Sequence, residues 1–403
     1  MSRNHLLTRR SAILGAGATA SGLILGPRLA AAQDATPMAT PEASPIALTP
    51  VPLWQTAIER GIIYGSSATT WQVDDAEYKQ LALHEPAILF TEDDLLWWRL
   101  KPAPDADLDF QFGDQFVDLA EQNQKLVFGA HLVWDEGFGD GWTEDDLFGM
   151  DKKAATDLIL GTIDQEVGRY KGRVQAWSVV NEAIDANEAD GMRKDDYPWY
   201  QTMGPDYIEQ SFKAAHAADP DAVLLLNEFG FETDSEYDKA ADKRAKTLLV
   251  LDRLLGAKIP VHALGVQAHL VADGFADKFD AKSYQQFLSD VAARGLKIFI
   301  TEMDVLDDGL PAESAPRDQA IADIYEKYLT TTLREPAVAA VITFGLSDRY
   351  TWLQEDYPRD DGAPRRPLPF DDALKPKPAY DAIKSALKNA PPRSALWKLP
   401  SGS

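Results

Sequence analysis

Carboxylates, amides and an imidazole follow four successive apolar segments of this chain. Each segment is built like a buried strand, and each ends in side chains that are costly to bury without a partner. In chain order, the polar residues at these four ends are Asn181 and Glu182, Asn227 and Glu228, Gln267 and His269, and Glu302 and Asp304. One polar residue after a strand is usually an ordinary loop residue, whereas its repetition over four strands indicates a shared site.

Two carboxylates on one face suit the hydrolysis of a glycosidic bond. One acid protonates the leaving oxygen while the other carboxylate attacks the sugar at a carboxyl separation of roughly 5 Å, or directs a water at roughly 6.5–9.5 Å. The chain has no cysteine, which excludes disulfides, thiolate metal sites and cysteine nucleophiles. Its acids and histidines form no evident ligand cluster, so we expect neither a metal nor another cofactor.

Short apolar runs alternate with amphipathic stretches from Ile62 onward, which is the pattern of repeated β/α units. The eight candidate strands are IIYG, AILF, KLVFGAHLVW, VQAWSVVN, AVLLLN, ALGVQAH, KIFITEMD and AVAAVITFG. They predict a single-domain α/β fold, a (β/α)8 TIM barrel, in which Glu182 and Glu302 can flank a sugar at the carboxyl ends of the strands. An open doubly wound sheet is the alternative, but no G-x-G-x-x-G follows the first strand and the sequence has no P-loop motif.

Charge and aromatic content restrict the partners. The formal net charge of −24 disfavours nucleic acid and anionic membranes, because like charges repel at long range. Ten Trp and thirteen Tyr side chains offer flat faces suited to sugars, although a large core also uses them. We therefore expect a polysaccharide or oligosaccharide substrate and no membrane contact in the mature form. A monomer is the default expectation.

Both ends of the chain are predicted to lie outside the folded domain. Residues 1–32 contain Arg9 and Arg10, a short apolar stretch and three alanines, which is typical of a twin-arginine-type signal peptide; an uncleaved amphipathic helix is the alternative. Residues 33–53 are predicted to be a disordered Pro/Thr/Ala linker, residues 54–392 the catalytic barrel and residues 393–403 a tail. The expected location is extracellular or in the cell envelope.

Six stretches, in this order along the chain, resemble glycoside hydrolase family 10, the β-1,4-xylanase family. They are WSVVNEAID, the run from PWYQTMGPDYIEQ to AVLLLNEF, ALGVQAHL, IFITEMDV, GLSDRYTWL and LPFDDALKPKPAYDAI, and they span about residues 60 to 388. The resemblance implies a (β/α)8 barrel and a retaining double displacement. It also implies that Glu182 is the general acid/base, that Glu302 is the nucleophile and that Asn181 contacts the sugar 2-hydroxyl.

The resemblance also implies supporting roles around these residues. His269 would hold the nucleophile, Asp304 would hold His269, and Gln267 would lie near the acid/base. Trp134 and Trp352 would form walls of the sugar site. Each residue also has a purely structural alternative. His269 could be a core histidine whose hydrogen bonds are all made within the protein, and the two tryptophans could serve only in packing.

The second-strand stretch FTEDDLLWWRL departs from the family pattern. Asp93 and Asp94 stand in place of a Glu-Asn pair, and Trp97 stands in place of a Lys that contacts the sugar. An aromatic plate, the indole of Trp97, would then replace a positively charged hydrogen-bond donor. The hydrogen bonds of that Lys therefore cannot be made in the same way.

The third and eighth strands depart as well. In GAHLVWDEG, Ala130, Asp135 and Gly137 replace His, His and Gln, while Phe344 replaces a Trp after the last strand. His131 lies one residue beyond the lost His, and a shift of one residue along a strand turns a side chain to the other face. We therefore expect that His131 does not substitute for the lost His unless a bulge redirects it.

Three functions remain open from the sequence. The leading one is a secreted retaining glycoside hydrolase that cleaves β-1,4-linked polysaccharide, with xylan as the default substrate. The second is a divergent family member acting on another glycan or glycoside, favoured by the altered sugar-contacting positions. The third is a non-catalytic sugar-binding protein, which would not need both Glu182 and Glu302. Glu228 is expected to be structural or peripheral.

Overall fold

A computed structural model of the chain describes residues 46–235 and 239–399. The predicted signal peptide, residues 1–32, and residues 33–45 of the predicted linker lie outside the described residues.

Parallel strands form a closed barrel at the centre of the described chain. They are β1 (Ile63–Ala68), β2 (Ile88–Thr91), β3 (Leu126–Gly129), β4 (Ala176–Asn181), β5 (Val223–Glu228), β6 (Ala263–Val266), β7 (His269–Val271), β8 (Lys297–Leu306) and β9 (Val338–Thr343). The barrel closes because β1 pairs with β9 and β6 pairs with β8, while the short β7 pairs with the outer half of β8. Eight strands thus surround the core, and the predicted (β/α)8 barrel is confirmed.

Helices cover the outside of the barrel. The helices that connect successive barrel strands are α2 (Ala76–His84), α4 (Gln111–Gln122), α6 (Lys152–Arg169), α8 (Tyr207–Ala218), α9 (Ala240–Gly256), α11 (Ala281–Ala293) and α12 (Ser314–Thr332). Helix α14 (Pro378–Asn389) follows the last strand, β9. Shorter helices precede the first strand or lie in connecting loops: α1 (Leu53–Ile58), α3 (Trp97–Leu100), α5 (Glu144–Phe148), α7 (Pro198–Met203), α10 (Phe275–Lys278) and α13 (Leu353–Asp356). Within the described residues, we find no helix with the length and apolar character needed to cross a bilayer.

Helix α8 shows how the sequence pattern produces this layer. Its apolar residues recur at helical spacing, and Ile208, Phe212 and Ala215 are all buried. The helix ends at Ala218, just before Asp219 and Pro220, because proline cannot continue a helical hydrogen-bond pattern. The buried stripe packs this helix against the outside of the barrel, between β4 and β5 in the chain.

The barrel interior is filled by side chains from alternate strand positions. Phe90, Phe128 and Phe299 are buried there together with smaller apolar residues. Because the interior is packed, the chemistry must lie at the ends of the strands, where the loops leave the barrel.

Residues at both predicted domain boundaries contact the barrel. Thr49, in the predicted linker, is buried and donates a hydrogen bond to Glu85, so ordered structure begins before residue 54. In the predicted tail, Arg393 donates hydrogen bonds to backbone carbonyls that include Val338 O, at the start of β9, and Trp397 packs edge-to-face on Phe299. The described part of the tail therefore closes the amino end of the barrel.

Candidate active site

The carboxyl end of β4 carries the first two residues of the site. β4 ends at Asn181, and Glu182 follows in the left-handed region with a φ of 57°. The Glu182 N–H donates to the carbonyl of Asn227 on the neighbouring strand at 3.0 Å. This hydrogen bond fixes the point at which the chain leaves the barrel and places the Glu182 side chain at the mouth.

An amide from the sixth strand joins Glu182 to Asn181. Gln267 Nε2 lies 3.0 Å from Glu182 Oε1 and 3.2 Å from Asn181 Oδ1, and it donates a hydrogen bond to each. Gln267 thus lies within hydrogen-bond distance of Glu182.

The second carboxylate, Glu302, lies on β8 and is 5 % exposed. Asn227 Nδ2 donates to Glu302 Oε1 at 2.7 Å and to Asn181 Oδ1 at 2.8 Å, while Thr301 Oγ1 donates to Asn227 Oδ1 at 2.8 Å. Asn227 therefore connects the two sides of the site. Its position after one of the four apolar runs is the sequence signal for a place at the mouth, and the sequence indicates no role for it.

A chain of three side chains supports the other oxygen of Glu302. His269 Nε2 lies 3.5 Å from Glu302 Oε2, and His269 Nδ1 lies 2.8 Å from Asp304 Oδ1. Trp352 Nε1 donates to Asp304 Oδ2 at 2.7 Å. Asp304 and His269 are thus arranged in series behind Glu302, and their supporting roles stay a prediction.

The electrostatics of this chain favour an ionised Glu302 beside a protonated His269. Burial raises the pKa of Glu302, but the hydrogen bond from His269, the nearby His131 and the Asn227 amide bring that pKa below its usual value. Burial lowers the pKa of His269, yet Asp304 and Glu302 together raise it well above its usual value. The pair therefore favours an ionised carboxylate facing a ligand.

Half-buried aromatic rings surround the two imidazoles beside Glu302. Phe344 and Trp352 pack edge-to-face on His269, with ring centroids 5.5 and 5.3 Å away. Trp134 packs edge-to-face on His131 at 5.3 Å, and the Trp134 carbonyl accepts a hydrogen bond from Trp199. The sequence-predicted aromatic residues Trp134, Trp352 and Phe344 are thus brought together at the mouth.

His131 lies near Glu302, which a continued alternation of strand faces would not allow. Strand β3 ends at Gly129, so the alternation of strand faces does not extend to His131; the peptide bond between Ala130 and His131 is cis. His131 Nε2 lies 3.9 Å from Glu302 Oε1, and Ala130 is buried in the barrel interior. An imidazole therefore reaches the site from position 131. The histidine of the family pattern corresponds to position 130, which is an alanine here.

Two of the second-strand residues have partners inside the protein. Thr70 donates to both oxygens of Asp94, from its N–H at 2.7 Å and its hydroxyl at 2.8 Å, and Arg99 donates at 3.0 Å. Burial raises the pKa of Asp94 to about 6 in spite of these contacts. Asp93, at the same turn, is also buried. The hydrogen bonds to Asp94 indicate that it braces the loops after β1 and β2.

Trp97, predicted to be an aromatic plate in place of a sugar-contacting Lys, is buried. Trp97 is 4 % exposed and packs edge-to-face on Phe138 and Trp142, with ring centroids 5.5 and 5.4 Å away. Its indole belongs to a buried aromatic cluster beneath the loops, because those neighbours cover it from separate segments of the chain.

An ion pair that the sequence analysis did not identify ties two active-site loops together. Arg193, in the loop after β4, donates to both oxygens of Asp135, in the loop after β3, and Asp135 is 1 % exposed. Arg193 also donates to the backbone carbonyl of Glu182 at 3.1 Å. The bidentate geometry holds the segment that carries Glu182.

Glu228 has the structural role that was expected of it. Glu228 Oε1 accepts from the Ile184 N–H at 2.8 Å, and Glu228 Oε2 lies 2.9 Å from Lys243 Nζ. Both side chains of this ion pair are buried. Lys243 also donates to the Ile184 carbonyl, so the pair fixes the chain just beyond Glu182.

Two exposed aromatic residues lie beyond strand ends and were not predicted as site residues. Trp71, in the loop after β1, is 47 % exposed and packs edge-to-face on Tyr350 at 5.4 Å. Phe229 directly follows β5 and is 40 % exposed. Exposed rings at the carboxyl ends of barrel strands offer stacking surfaces for sugar rings.

Metal chemistry has no candidate site in residues 46–235 and 239–399. Within these ranges, no group of three or more histidine and acidic side chains is arranged to hold a metal ion. The site instead contains two carboxylates, Glu182 and Glu302, in different environments. Glycosidic bond cleavage requires such a pair.

Comparisons with known proteins agree with this chemistry. Endo-1,4-beta-xylanase A of Caldicellulosiruptor sp. is 34% identical over 62% of this chain, which spans about a third of that protein's length, 36%. Endo-1,4-beta-xylanase B of Thermotoga neapolitana is 28% identical over 84% of this chain and 92% of that protein. The crystal structure of xylanase 10B from Thermotoga petrophila in complex with xylobiose matches with a TM-score of 0.73 and 29% identity, over 85% of this chain and 98% of that one.

The family model described as Glycosyl hydrolase family 10 matches residues 53–386, nearly the whole of the barrel. On this match and on the fold, the chain belongs to glycosyl hydrolase family 10 and is a glycoside hydrolase.

Proposed function

We propose that the chain cleaves β-1,4-linked xylan by a retaining double displacement, with Glu302 as nucleophile and Glu182 as general acid/base. The observation that carries the proposal is the unequal support of the two carboxylates. Glu302 is held on both oxygens, by Asn227 and by a His269 that Asp304 keeps protonated. Glu182 has the Gln267 amide on one oxygen, and the hydrolysis of a glycoside requires one fixed anion and one acid that exchanges its proton.

The reaction then runs in two balanced steps. Glu302 attacks the anomeric carbon and forms a covalent bond to the sugar, while Glu182 gives its proton to the departing glycosidic oxygen. A water enters and loses a proton to Glu182 as its oxygen displaces Glu302 from the anomeric carbon. Both carboxyl groups return to their starting states. In this proposal Asn181, which accepts hydrogen bonds from Asn227 and Gln267, contacts the sugar beside the two carboxylates.

We propose xylan as the substrate because similar proteins are named as xylanases. Two relatives are named as endo-1,4-beta-xylanases, and the matching crystal structure contains xylobiose. A second candidate is another β-linked glycan, since Asp94 and Trp97 occupy positions where the family has sugar-contacting polar groups, and here both are engaged inside the protein.

A substrate screen with stereochemical analysis tests the proposal. The purified chain is incubated with xylans, mixed-linkage glucans, arabinans and aryl glycosides, beside its Glu302→Ala variant. We expect release of reducing ends from xylan and early products with the β-anomeric configuration in proton NMR spectra. Early products with inverted configuration would overturn the retaining mechanism. Cleavage of a glucan or arabinan in place of xylan would support the second candidate, and binding without turnover would refute hydrolysis.

The Asp304→Asn variant tests the support of the nucleophile. Asparagine keeps the shape of the side chain but removes the charge that keeps His269 protonated, so the imidazole loses part of its hold on Glu302. We expect kcat to fall by roughly 10–100-fold with little change in KM, since hydrogen-bonded supports of catalytic groups have effects of about this size. Steady-state kinetics on 4-nitrophenyl β-xylobioside measure the change.

Trp352→Phe is the matched control, because it removes the other hydrogen bond to Asp304 and leaves its charge in place. It should cost less than Asp304→Asn. Equal losses in the two variants would show that orientation of Asp304, and not its charge, is what matters.

The Trp71→Ala variant tests whether the exposed ring binds extended substrates. Trp71 stands on Tyr350, whose hydroxyl donates to Asp75 at 2.7 Å, so the indole is held in place from below. We expect kcat/KM on xylan to fall by roughly 5–50-fold, which corresponds to about 1–2 kcal/mol for one sugar–aromatic contact. Hydrolysis of 4-nitrophenyl β-xylobioside should change little, because this substrate is short. An equal loss on both substrates would contradict a distal sugar contact.

A further inference from the structure

Glu302 is flanked by two imidazoles, one on each oxygen. His269 Nε2 is 3.5 Å from Oε2, and His131 Nε2 is 3.9 Å from Oε1, where the Asn227 amide also donates. The His131 contact is longer than a hydrogen bond but lies within ion-pair range. His131 is 6 % exposed, so solvent screens its interaction with Glu302 weakly.

The His131 ring is fixed by its surroundings. His131 Nδ1 lies 2.7 Å from the hydroxyl of Ser178, which is fully buried on β4. Phe90 from β2 and Trp134 pack edge-to-face on the ring, with centroids 6.0 and 5.3 Å away. Ser178, Phe90 and Trp134 are uncharged, whereas Glu302 is a charged neighbour of His131 and has His269 on its other oxygen.

The two imidazoles differ in the partner of their Nδ1 atoms. Asp304 is a carboxylate, which accepts hydrogen bonds and therefore favours a protonated His269. Ser178 has a hydroxyl, which can accept from a protonated ring or donate to a neutral one. A hydrogen stands on His131 Nε2, the atom that faces Glu302, when the ring is protonated or when the Ser178 hydroxyl donates to Nδ1.

We propose that His131 is a positioning residue for Glu302, held by Ser178 so that its Nε2–H faces Oε1 and favours the charged carboxylate. This inference rests on the proposed role of Glu302 as nucleophile. It assigns to His131 a function that its sequence position does not suggest, since the family histidine corresponds to Ala130. His131 and His269 then act from opposite sides on the same carboxylate.

The physical consequence is a dependence on pH. A positive or hydrogen-bonding group beside a carboxylate favours its ionised form, and His131 is one of the groups that hold the pKa of Glu302 below its usual value. Without His131, that pKa rises. Because attack requires ionised Glu302, activity is then lost at higher pH on the acidic side of the profile, while the plateau at neutral pH is affected less.

The His131→Asn variant tests this with 4-nitrophenyl β-xylobioside as the probe. Asparagine keeps a polar group near Ser178 and removes the imidazole. We expect kcat/KM to fall by roughly ten-fold more at the acidic end of the profile than on its plateau, mainly through kcat. His216→Asn, a histidine on α8 packed against His262, is the matched control and should leave the profile unchanged. A uniform loss at all pH values, or a change in KM alone, would overturn the proposal.

A direct titration separates this inference from the proposed function. The side-chain carboxyl carbon of Glu302 is followed by ¹³C NMR against pH, with its resonance identified by the Glu302→Gln variant. We expect its titration midpoint to move to higher pH in His131→Asn, and an unchanged midpoint would overturn the proposal. The titration needs no turnover, so it decides the role of His131 even if the substrate screen finds no hydrolysis.

The Ser178→Ala variant then tests the tether. It should shift the midpoint in the same direction by a smaller amount, and the double variant with His131→Asn should match His131→Asn alone. Fully additive shifts would show that Ser178 and His131 act independently, which contradicts the tether.

Discussion

We expect the Glu302→Ala variant to lose activity by on the order of 10⁴-fold or more in kcat on every substrate that the native enzyme cleaves. The reason is that no neighbouring group can replace it. Asn227 and His269 both donate hydrogen bonds and carry no nucleophilic oxygen, and Glu182 is needed as the acid. Steady-state kinetics with 4-nitrophenyl β-xylobioside measure the loss.

Added azide distinguishes the two carboxylates. In Glu302→Ala, azide can enter the space left by the side chain and attack the anomeric carbon directly, giving an α-glycosyl azide. In Glu182→Ala, azide attacks the covalent intermediate from the other face and gives a β-glycosyl azide. Glu302→Gln is the matched control, because it keeps the volume and leaves no room for azide. Rescue of Glu302→Ala with a β-configured product would contradict the assignment of the nucleophile.

The largest expected effect on stability comes from the buried ion pair between Glu228 and Lys243. Their charged atoms are 2.9 Å apart, with side-chain exposures of 0 % and 2 %. Lys243→Met leaves Glu228 buried without its counter-charge and should lower the free energy of unfolding by about 3–5 kcal/mol. Urea denaturation at neutral pH, followed by tryptophan fluorescence, measures the change.

Two further variants decide whether the missing charge is the cause. Adding Glu228→Gln to Lys243→Met should restore part of the stability, because the remaining buried group is then neutral. Lys153→Met, which removes one partner of the exposed ion pair with Asp157, should have little effect, since solvent screens that pair. If Lys243→Met is no less stable than Lys153→Met, loss of the buried counter-charge does not destabilise the protein, and the prediction is contradicted.

The barrel was predictable because parallel strands covered on both faces are continuous apolar runs. Those runs also end at one rim, which is why Glu182, Glu302 and His269 could be grouped from the sequence. The sixth strand shows the limit of this reasoning. The run ALGVQAH was expected as one strand, but it divides into β6 and β7, with Ala268 in the left-handed region at a φ of 61°.

Side-chain direction beyond the strand ends was not predictable. Whether Trp97 faces a cleft or the core depends on Phe138, Trp142 and Trp199, which lie 41 to 102 positions away in the chain and converge only in the folded protein. For His131, the alternation rule failed because β3 stops two residues earlier. Arg193 had no sequence signal, since its partner Asp135 lies in a different loop.

The two ends of the described chain meet on the face opposite the mouth. The Arg393 N–H donates to the Arg60 carbonyl at 2.9 Å, Lys384 on α14 donates to the Val51 carbonyl, and Trp397 caps the barrel floor. A tether attached at either end would therefore leave the mouth pointing away from the point of attachment. Immobilised on a solid support through either end of the described domain, the enzyme would present its cleft outward, where long polymer chains can reach it without passing the support.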